Sequence, residues 1–410
     1  MKDQIIKSIT DPVQMERLYR SNRNLFKKEF NTIYADFAGT PLVEAWNERL
    51  NSESENSVQI SKEDIIILSI GTILAYFIAK LPVIAGIREE FFFPRNISFV
   101  VLPFLTLYFS IKNNLSKRAV YSIYGLFLAG AIFINTFDTS IKSDLVILST
   151  IHLTLFLWAV TGFSFIGDFK NREKRLAYLK YNGELLVMSA MILIAGGILT
   201  AITIGLFQII GIKIENFYFD YIAVFGLCAT PILATILTQN NPQLVGRVSP
   251  VIAGIFSPIV VVMLIVFLVA IFVSGNDPYN NRDFLMIFNL LLVGVMALIF
   301  FSIAEKSGKK IKKSSIAILL TLSVVTIIVN SVALSAILFR ISEWGFSPNR
   351  TAVLGANLLI LINLIIVTAH LFRIITNRAD ISEVGRSIAT YLPVYVVWTF
   401  IVTFLFPLLF

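Results

Sequence analysis

One pair of side chains in the sequence has the residue types that nucleophilic hydrolysis needs. Ser164 lies in a Gly-x-Ser-x pattern, Gly162–Phe165, and His370 falls at a similar depth in another apolar run. A serine attacks as a nucleophile when a histidine within hydrogen-bond reach takes its proton. The pattern is also common in helices whose serine bonds to its own backbone. An intramembrane serine hydrolase is therefore one alternative, while the sequence favours a protein that is not an enzyme.

The other patterns for catalysis or metal binding do not occur in the sequence. Two histidines, His152 and His370, and one cysteine, Cys228, cannot supply a zinc site of ordinary spacing. A phosphate-binding G-x-x-x-x-G-K-[ST] loop and an H-E-x-x-H motif are both missing. No two carboxylates lie together within an apolar run, which argues against an aspartyl protease. We therefore predict no catalytic residue, no metal site and no cofactor.

A different signal comes from polar residues that interrupt long apolar runs near one end. Counted at 1.5 Å per residue, six of them lie within about 12 Å of the end predicted below to face outside. They are Lys80, His152, Asp220, Asn289, Asn330 and Asn357. Polar groups are costly in hydrocarbon unless they face the protein interior or water. One hypothesis is an outward-facing polar cavity, with Lys80 and Asp220 as opposed charges and His152 as a titratable member.

A structural interpretation accounts for the same six residues. Lysine near an interface can extend its charge to water, and asparagine commonly forms hydrogen bonds between membrane helices. A lone histidine in a bundle is usually a satisfied interior donor. The sequence leaves the cavity and the structural interpretation both open.

The connection RISEWGFSPNR, from Arg340 to Arg350, contains a second candidate site. Arg340 and Arg350 could attract an anionic ligand to a cap over the cavity, with Glu343 beside them. The structural alternative is a turn in which Gly345 adopts positive φ and Ser347 caps the next helix. In that case the three charged residues pair around the turn.

The elements that must position these residues are membrane helices. The chain has 410 residues, 56% hydrophobic and only 15% charged, against about 25% charged in soluble domains. Runs of about 20 apolar residues match the thickness of the hydrocarbon core as helices, and the strict alternation of a barrel strand is missing. The second of eleven runs is short, and we expect it to begin earlier, near Phe91. The runs are Ile65–Ile87, Ile97–Ile111, Ala119–Phe137, Leu145–Gly167, Leu185–Ile212, Phe217–Thr238, Val251–Val273, Phe284–Ala304, Ser315–Leu338, Thr351–Phe372 and Ile388–Phe410.

The distribution of basic residues predicts the direction of each run. Of 34 lysines and arginines, 26 fall in the N-terminal segment and every second connection, 7 fall in the others, and Lys80 lies within a run. Because basic residues concentrate in cytoplasmic loops, we predict an all-helical bundle of about eleven helices with the N-terminus inside and the C-terminus outside. The net charge of +8 is then explained by basic cytoplasmic segments, and we expect the loop Lys306–Lys313 to contact anionic lipids of the inner leaflet. No nucleic-acid partner is needed to explain the charge.

Residues 1–64 form a separate N-terminal segment, and residues 65–410 form the membrane domain. Asp11–Pro12 is typical of a helix start, and apolar residues from Met15 to Tyr34 recur at helical spacing among basic ones. A second short helix is predicted over Leu42–Leu50. The segment could lie on the inner leaflet or recruit a cytoplasmic protein partner. It could equally pack on the protein's own cytoplasmic loops.

Five internal segments of the sequence form a distinctive set, and the most specific stretch among them is Gly345–Arg350. The segments are REEFFFPRNISFVVLPFLTLYF from Arg88, AGGILTAITIGLF from Ala195, NPQLVGRVSPVIAGIFSP from Asn241, SGNDPYNNRDF from Ser274 and RISEWGFSPNRTAVLGANLLILIN from Arg340. With them the chain resembles, over nearly its whole length, a family of uncharacterised bacterial multi-pass membrane proteins. The resemblance implies a bacterial inner-membrane protein, but it implies no activity and no catalytic residues.

Three functions remain open on this evidence. The first is binding or transport of a small or lipid-like solute through the outward-facing cavity. The second is a sensor or scaffold that recruits a cytoplasmic partner through residues 1–64. The third is the hydrolase that depends on Ser164.

Overall fold

A computed structural model describes residues 1–55, 60–136, 144–168, 170–209, 212–241, 254–266, 268–269, 282–306 and 313–410. It is 90% helical, and no strand occurs in these ranges. The all-helical prediction is therefore confirmed. The chain divides into two compact units, Met1–Ser61 and Lys62–Phe410, whereas the sequence placed this division after residue 64.

The N-terminal unit is a small helical domain with its own core. Its helices are α1 (Lys2–Lys7), α2 (Pro12–Ser21), α3 (Arg23–Phe37) and α4 (Pro41–Glu55). Their apolar faces meet at an aromatic centre that includes Tyr19, Phe26 and Trp46. These helices pack against one another, so most of the apolar periodicity in residues 1–50 is used inside the unit.

Two capping residues set the helix boundaries of this unit. The Asp11 carboxylate accepts from the backbone N–H groups of Val13 and Gln14, with Pro12 in the first helical position, as predicted. The sequence did not predict the break at Asn22, whose extended backbone ends α2 and whose side chain caps α3. An asparagine that bonds to the next N–H groups competes with a continuous helix, which explains the division.

The second unit consists of long apolar helices. They are α5 (Lys62–Ala85), α6 (Glu89–Lys112), α7 (Lys117–Asn135), α8 (Asp144–Ile166), α9 (Arg172–Ile209), α10 (Glu215–Asn240), α11 (Gly254–Val266), α12 (Arg282–Lys306), α13 (Lys313–Trp344), α14 (Pro348–Ile375) and α15 (Ile381–Leu409).

Nine of the helices in the described ranges are long and apolar enough to cross a membrane. Two shorter apolar stretches, Gly254–Val266 (α11) and Asn289–Glu305 (within α12), coincide with the seventh and eighth predicted runs. The second run does begin earlier than its apolar core, since α6 starts at Glu89. The chain is therefore a multi-pass helical membrane protein. Most of the predicted lipid-binding loop Lys306–Lys313 lies outside the described residues.

Two connections predicted as loops are helical in the structure. The basic stretch before Leu185 belongs to α9, which begins at Arg172 and runs for 38 residues. Likewise α13 continues to Trp344, so Arg340 and Glu343 lie on a helix and only 345–347 form the turn. Charged residues are good helix formers outside hydrocarbon, so low hydropathy alone did not mark the helix ends.

Polar contacts bring one set of helix ends together. The start of α5 contacts the ends of α6 and α10, because Asp64 lies 3.3 Å from Lys112 and accepts a bond from Asn240. Early α9 meets the end of α12, since Lys180 lies 3.6 Å from Glu305. The distribution of basic residues predicts that these same helix ends lie on one side of the membrane.

Small residues let two helix pairs approach closely. A Cβ on Gly355 of α14 would lie 2.1 Å from two ring carbons of Trp398 on α15. A Cβ on Gly385 of α15 would lie 2.6 Å from a methyl carbon of Leu176 on α9. Glycine at these positions therefore allows α15 to pack between α9 and α14.

Two helices contain a wide turn near the ends that are predicted to lie on the side opposite the basic connections. Tyr218–Ala223 in α10 and Ile401–Leu405 in α15 have π-helical hydrogen bonding. A π turn holds one residue more than an α turn and commonly interrupts an otherwise regular helix.

Candidate functional site

Three of the six residues predicted to line an outer cavity bond to one another. The Asn357 amide nitrogen donates to Asn289 Oδ1 at 2.9 Å, and the Asn330 amide nitrogen donates to the Asn357 carbonyl at 3.0 Å. Asn330 and Asn357 are buried, at 0% and 2% exposure. These bonds connect α12, α13 and α14, as the structural interpretation of the asparagines predicts.

The other three predicted residues have separate surroundings. The Lys80 ammonium lies 4.9 Å from the centre of the Tyr221 ring, while the neighbouring Asp220 is exposed. No ion pair joins Lys80 to Asp220 in the described part of the chain. His152 Nδ1 lies 2.9 Å from the carbonyl of Leu148, one turn earlier on its own helix.

The structure thus brings Asn289, Asn330 and Asn357 together, whereas Lys80 and His152 have other contacts, and the outward-facing cavity stays a prediction. Depth along a helix fixes how far a residue lies from the membrane surface, but not which neighbour it faces. The asparagines point into the α12–α14 interface, and Lys80 lies against an aromatic ring of α10. Depth alone therefore does not predict which of these residues are in contact.

The turn between α13 and α14 has the predicted structural geometry. Gly345 has φ of +70°, and the Ser347 hydroxyl accepts from the backbone N–H of Arg350. The Arg350 guanidinium donates to the carbonyls of Trp344 and Gly345 at 2.9 and 2.8 Å. A cation at a helix C-terminus stabilises its unpaired carbonyls, so Arg350 closes α13.

Two arginines at this turn lie against an aromatic ring. Arg340 and Arg350 both lie over the Trp344 ring, 5.7 and 5.6 Å from its centre. Glu343 is exposed on the last turn of α13. The two arginines thus share an aromatic partner, and the predicted ligand contact of this turn stays a prediction.

The serine and histidine of the hydrolase hypothesis have different partners. Ser164 is fully buried, and its hydroxyl lies 3.4 Å from the Ser110 hydroxyl. His370 lies near the end of α14, and its Nδ1 is 3.8 Å from a carboxylate oxygen of Glu383 on α15. No hydrogen bond joins Ser164 to His370 among the described residues, and a buried serine without a base is not an activated nucleophile.

A cleft in the described membrane unit lies at the basic end of the bundle. It has a volume of about 530 Å³ and is open to the surroundings. Its walls are the beginning of α9, the end of α14 and the beginning of α15.

Charged residues surround the rim of this cleft. Arg172, Arg386, His370 and Glu383 line it. The Glu383 carboxylate is 3.5 Å from Arg373, which compensates its charge. The two lining arginines therefore give the rim a positive balance that favours an anion.

The deeper part of the cleft becomes progressively apolar. Along α15 the lining passes from Glu383 through Thr390 and Tyr391 to Val394. At 1.5 Å per residue this path is about 16 Å long. On α14, Ile366 lies one turn deeper than His370. An open cleft with a cationic rim and an apolar floor matches an anionic amphiphile.

The start of α15 is fixed by Asp380, just outside the spanning segment. Hydrogen bonds from the Ser382 backbone N–H and side chain lower the pKa of the Asp380 carboxyl. The carboxylate therefore stays ionised and caps α15 at neutral pH. Arg175 on α9 donates to the Ala389 carbonyl at 3.1 Å, which holds the opposite wall.

Sequence reasoning did not predict this cleft. Arg172 and Arg386 are 214 positions apart, and each belongs to a basic connection that was read only as a sign of orientation. One usable signal was present, because His370 and Glu383 lie at facing ends of consecutive runs. No group of three or more metal-ligating side chains occurs in the part of the chain that the structure describes.

No family model, curated protein or solved structure matches this chain.

Proposed function

We propose that this chain binds a small anionic, lipid-like solute in the cleft between α9, α14 and α15. The observation that carries the proposal is the position of two arginines, Arg172 and Arg386, at the mouth of a cleft with an apolar floor. A phosphate or carboxylate headgroup would bond to the arginines. The hydrocarbon part would lie along Ile366 and Val394.

The proposal places the cleft on the cytoplasmic side of the membrane. Basic residues concentrate in the connections at this end, and basic loops are typically cytoplasmic. The resemblance to bacterial multi-pass proteins supports a bacterial inner membrane. Under this topology the N-terminus is inside and the C-terminus outside, and the ligand comes from the inner leaflet or the cytoplasm.

Binding can be tested with lipids of different headgroup charge. The purified full chain in detergent is titrated with phosphatidylglycerol or phosphatidylcholine, and retained lipid is measured by native mass spectrometry. We expect a preference for phosphatidylglycerol. Replacing both Arg172 and Arg386 by glutamine should weaken retention by about tenfold or more, because charge-assisted bonds are lost. Arg378→Gln is a matched control, since Arg378 is exposed near the cleft but does not line it.

Two results would contradict this proposal. One is equal retention of the two lipids, and the other is an undiminished preference in the double arginine variant. Glycerol 1-phosphate as a competitor separates a headgroup site from a lipid site. Strong competition by it would mean that the apolar floor contributes nothing.

Transport is a further step that a binding assay does not measure. In proteoliposomes, a fluorescent phosphatidylglycerol on the cleft side should reach the opposite leaflet faster with the protein than without it. If binding is present and this rate is unchanged, the protein binds the lipid without moving it.

The scaffold function has one specific observation in its favour. Met1–Ser61 is a compact unit with its own core, as expected of a docking module. Deleting residues 1–61 should leave lipid retention unchanged if the unit only recruits a partner. Loss of retention in the deletion would show that the unit contributes to the lipid function instead.

A further inference from the structure

A second pocket lies at the same end of the membrane unit, on another side of α9. It has a volume of about 350 Å³ and is formed by the ends of α6, α8 and α10 and the beginning of α9. Arg172 lines the cleft and Lys174 lines this pocket. Two residues apart on a helix means a rotation of about 200°, so α9 separates the two sites.

Aromatic rings form the inner wall of this pocket. Tyr108 and Phe109 are 1% and 2% exposed, and Phe165 packs edge-on against Phe109 with ring centres 4.9 Å apart. Tyr181 supports Phe109 from behind at 5.0 Å. The planes of Phe109 and Phe165 are 71° apart, so a flat ligand ring can stack on the partly exposed Phe165 and meet Phe109 at its edge.

The mouth of the pocket carries positive charge. Lys174 is exposed, and the Lys112 side chain is 41% exposed with its ammonium 5.7 Å from the centre of the Tyr108 ring. Asp64, which is 1% exposed, holds Lys112 at 3.3 Å and also accepts a bond from Asn240 at 2.9 Å. Asp64 is a positioning residue for both side chains, and Lys174 adds a second cation.

A buried polar atom at this pocket has no partner. The Tyr108 hydroxyl is buried without a hydrogen bond in the described part of the chain. An unpaired hydroxyl in such a place costs free energy unless a ligand bonds to it. Tyr108 lines the pocket and can donate to an acceptor in it.

Amide side chains supply the remaining recognition groups. The Asn113 amide nitrogen donates to the carbonyls of Ser164 and Phe165 at 2.8 and 3.0 Å, and Asn240 donates to Asp64. These bonds fix both amides and leave their oxygens as acceptors. Gln239 adds a third amide at the exposed rim. Side-chain amides are suited to the donor and acceptor edge of a nucleobase.

We propose that this pocket binds a nucleoside monophosphate. Its base would stack on Phe165, its edge would bond to the amides, and its phosphate would contact Lys112 and Lys174. The volume is at the low end for small-molecule sites, which suits a mononucleotide and not a dinucleotide. A lipid is a poorer match, because the aromatic wall is closed and the polar groups surround the mouth.

The test uses thermal unfolding of the purified full chain in detergent, titrated with AMP, GMP, CMP and UMP. At least one should raise the unfolding midpoint in a saturable way. Ribose 5-phosphate and adenosine each lack half of the recognised groups, so both should bind at least tenfold more weakly. Lys174→Gln and Tyr108→Phe should each weaken the nucleotide by about tenfold, since each removes one bond to it.

Matched variants distinguish the pocket from general effects. Lys117→Gln and Tyr121→Phe change the same residue types at exposed positions outside the pocket and should leave the affinity unchanged. Replacing the cleft arginine Arg386 by glutamine should also leave it unchanged. The proposal is overturned if none of the four nucleotides binds, if ribose 5-phosphate binds equally well, or if both pocket variants keep wild-type affinity.

Discussion

The close contact between Gly355 and Trp398 makes a sharp prediction about the stability of the membrane unit. A Cβ at position 355 would lie 2.1 Å from two carbons of the indole ring, whereas ordinary carbon contacts are about 3.5–4.0 Å. The Gly355→Ala variant therefore requires the ring of Trp398 to move by about 1.5 Å. A planar ring cannot fold away as a flexible chain can, so we expect the upper part of the usual overpacking cost of about 1–3 kcal/mol.

Helix propensity acts in the opposite direction in the same variant. Alanine is favoured over glycine within a helix by about 1 kcal/mol. The net loss should be about 2 kcal/mol, or about thirtyfold in the unfolding equilibrium. Gly125→Ala in α7 is the matched control, because nothing lies within 4 Å of its added Cβ. That variant should gain up to about 1 kcal/mol.

The assay is reversible unfolding of the detergent-solubilised chain by titration with sodium dodecyl sulfate. The free energy of unfolding should fall for Gly355→Ala and rise for Gly125→Ala. Gly385→Ala should be close to neutral, because its clash is with the flexible end of Leu176. If Gly355→Ala were as stable as the Gly125 variant, the reasoning from the indole contact would be refuted.

Three further changes test other contacts. Ser347→Ala removes the cap of α14 and should cost about 1 kcal/mol in the same titration, while Ser342→Ala, which lies within α13, should cost less. Hydrogen bonds from Arg20 and Arg49 lower the pKa of the Glu16 carboxyl from its ordinary value, so its contribution to stability is present above the ordinary pKa and is lost as the pH falls through the lowered one. In Glu16→Gln, hydrogen exchange of residues 1–61 in the full chain should lose this acid dependence. Lys180→Met removes a cation 3.6 Å from the buried Glu305 and should cost about 2 kcal/mol, and adding Glu305→Gln should recover part of it.

The positions of the apolar helices along the chain follow from its sequence. Backbone groups in hydrocarbon must be paired, so long apolar runs become helices and their positions are easily recognised. Local capping is also predictable, because Asp11, Gly345 and Ser347 act through neighbours within a few residues. The predicted helix ends outside hydrocarbon were less accurate, because α9 begins at Arg172 and α13 ends at Trp344, both within stretches predicted as connections.

The arrangement of side chains around the helices did not follow from sequence. Asn330 and Asn357 were predicted to lie at similar depths, but the hydrogen bond between them depends on how α13 and α14 are rotated. The cleft depends on the approach of α9 to α15, which Gly385 allows and hydropathy does not reveal. Rotation and approach are set by packing between distant segments, so depth alone does not predict which side chains are in contact.

The wide turns at Tyr218–Ala223 and Ile401–Leu405 have a consequence for how this chain tolerates changes in length. Each turn holds one residue beyond α-helical spacing, so deleting a single residue there lets the segment tighten to α geometry while the flanking parts keep their facing. The same deletion elsewhere in α10 or α15 would rotate everything beyond it by about 100°. Single-residue gaps between this chain and any descendants should therefore accumulate at these two places.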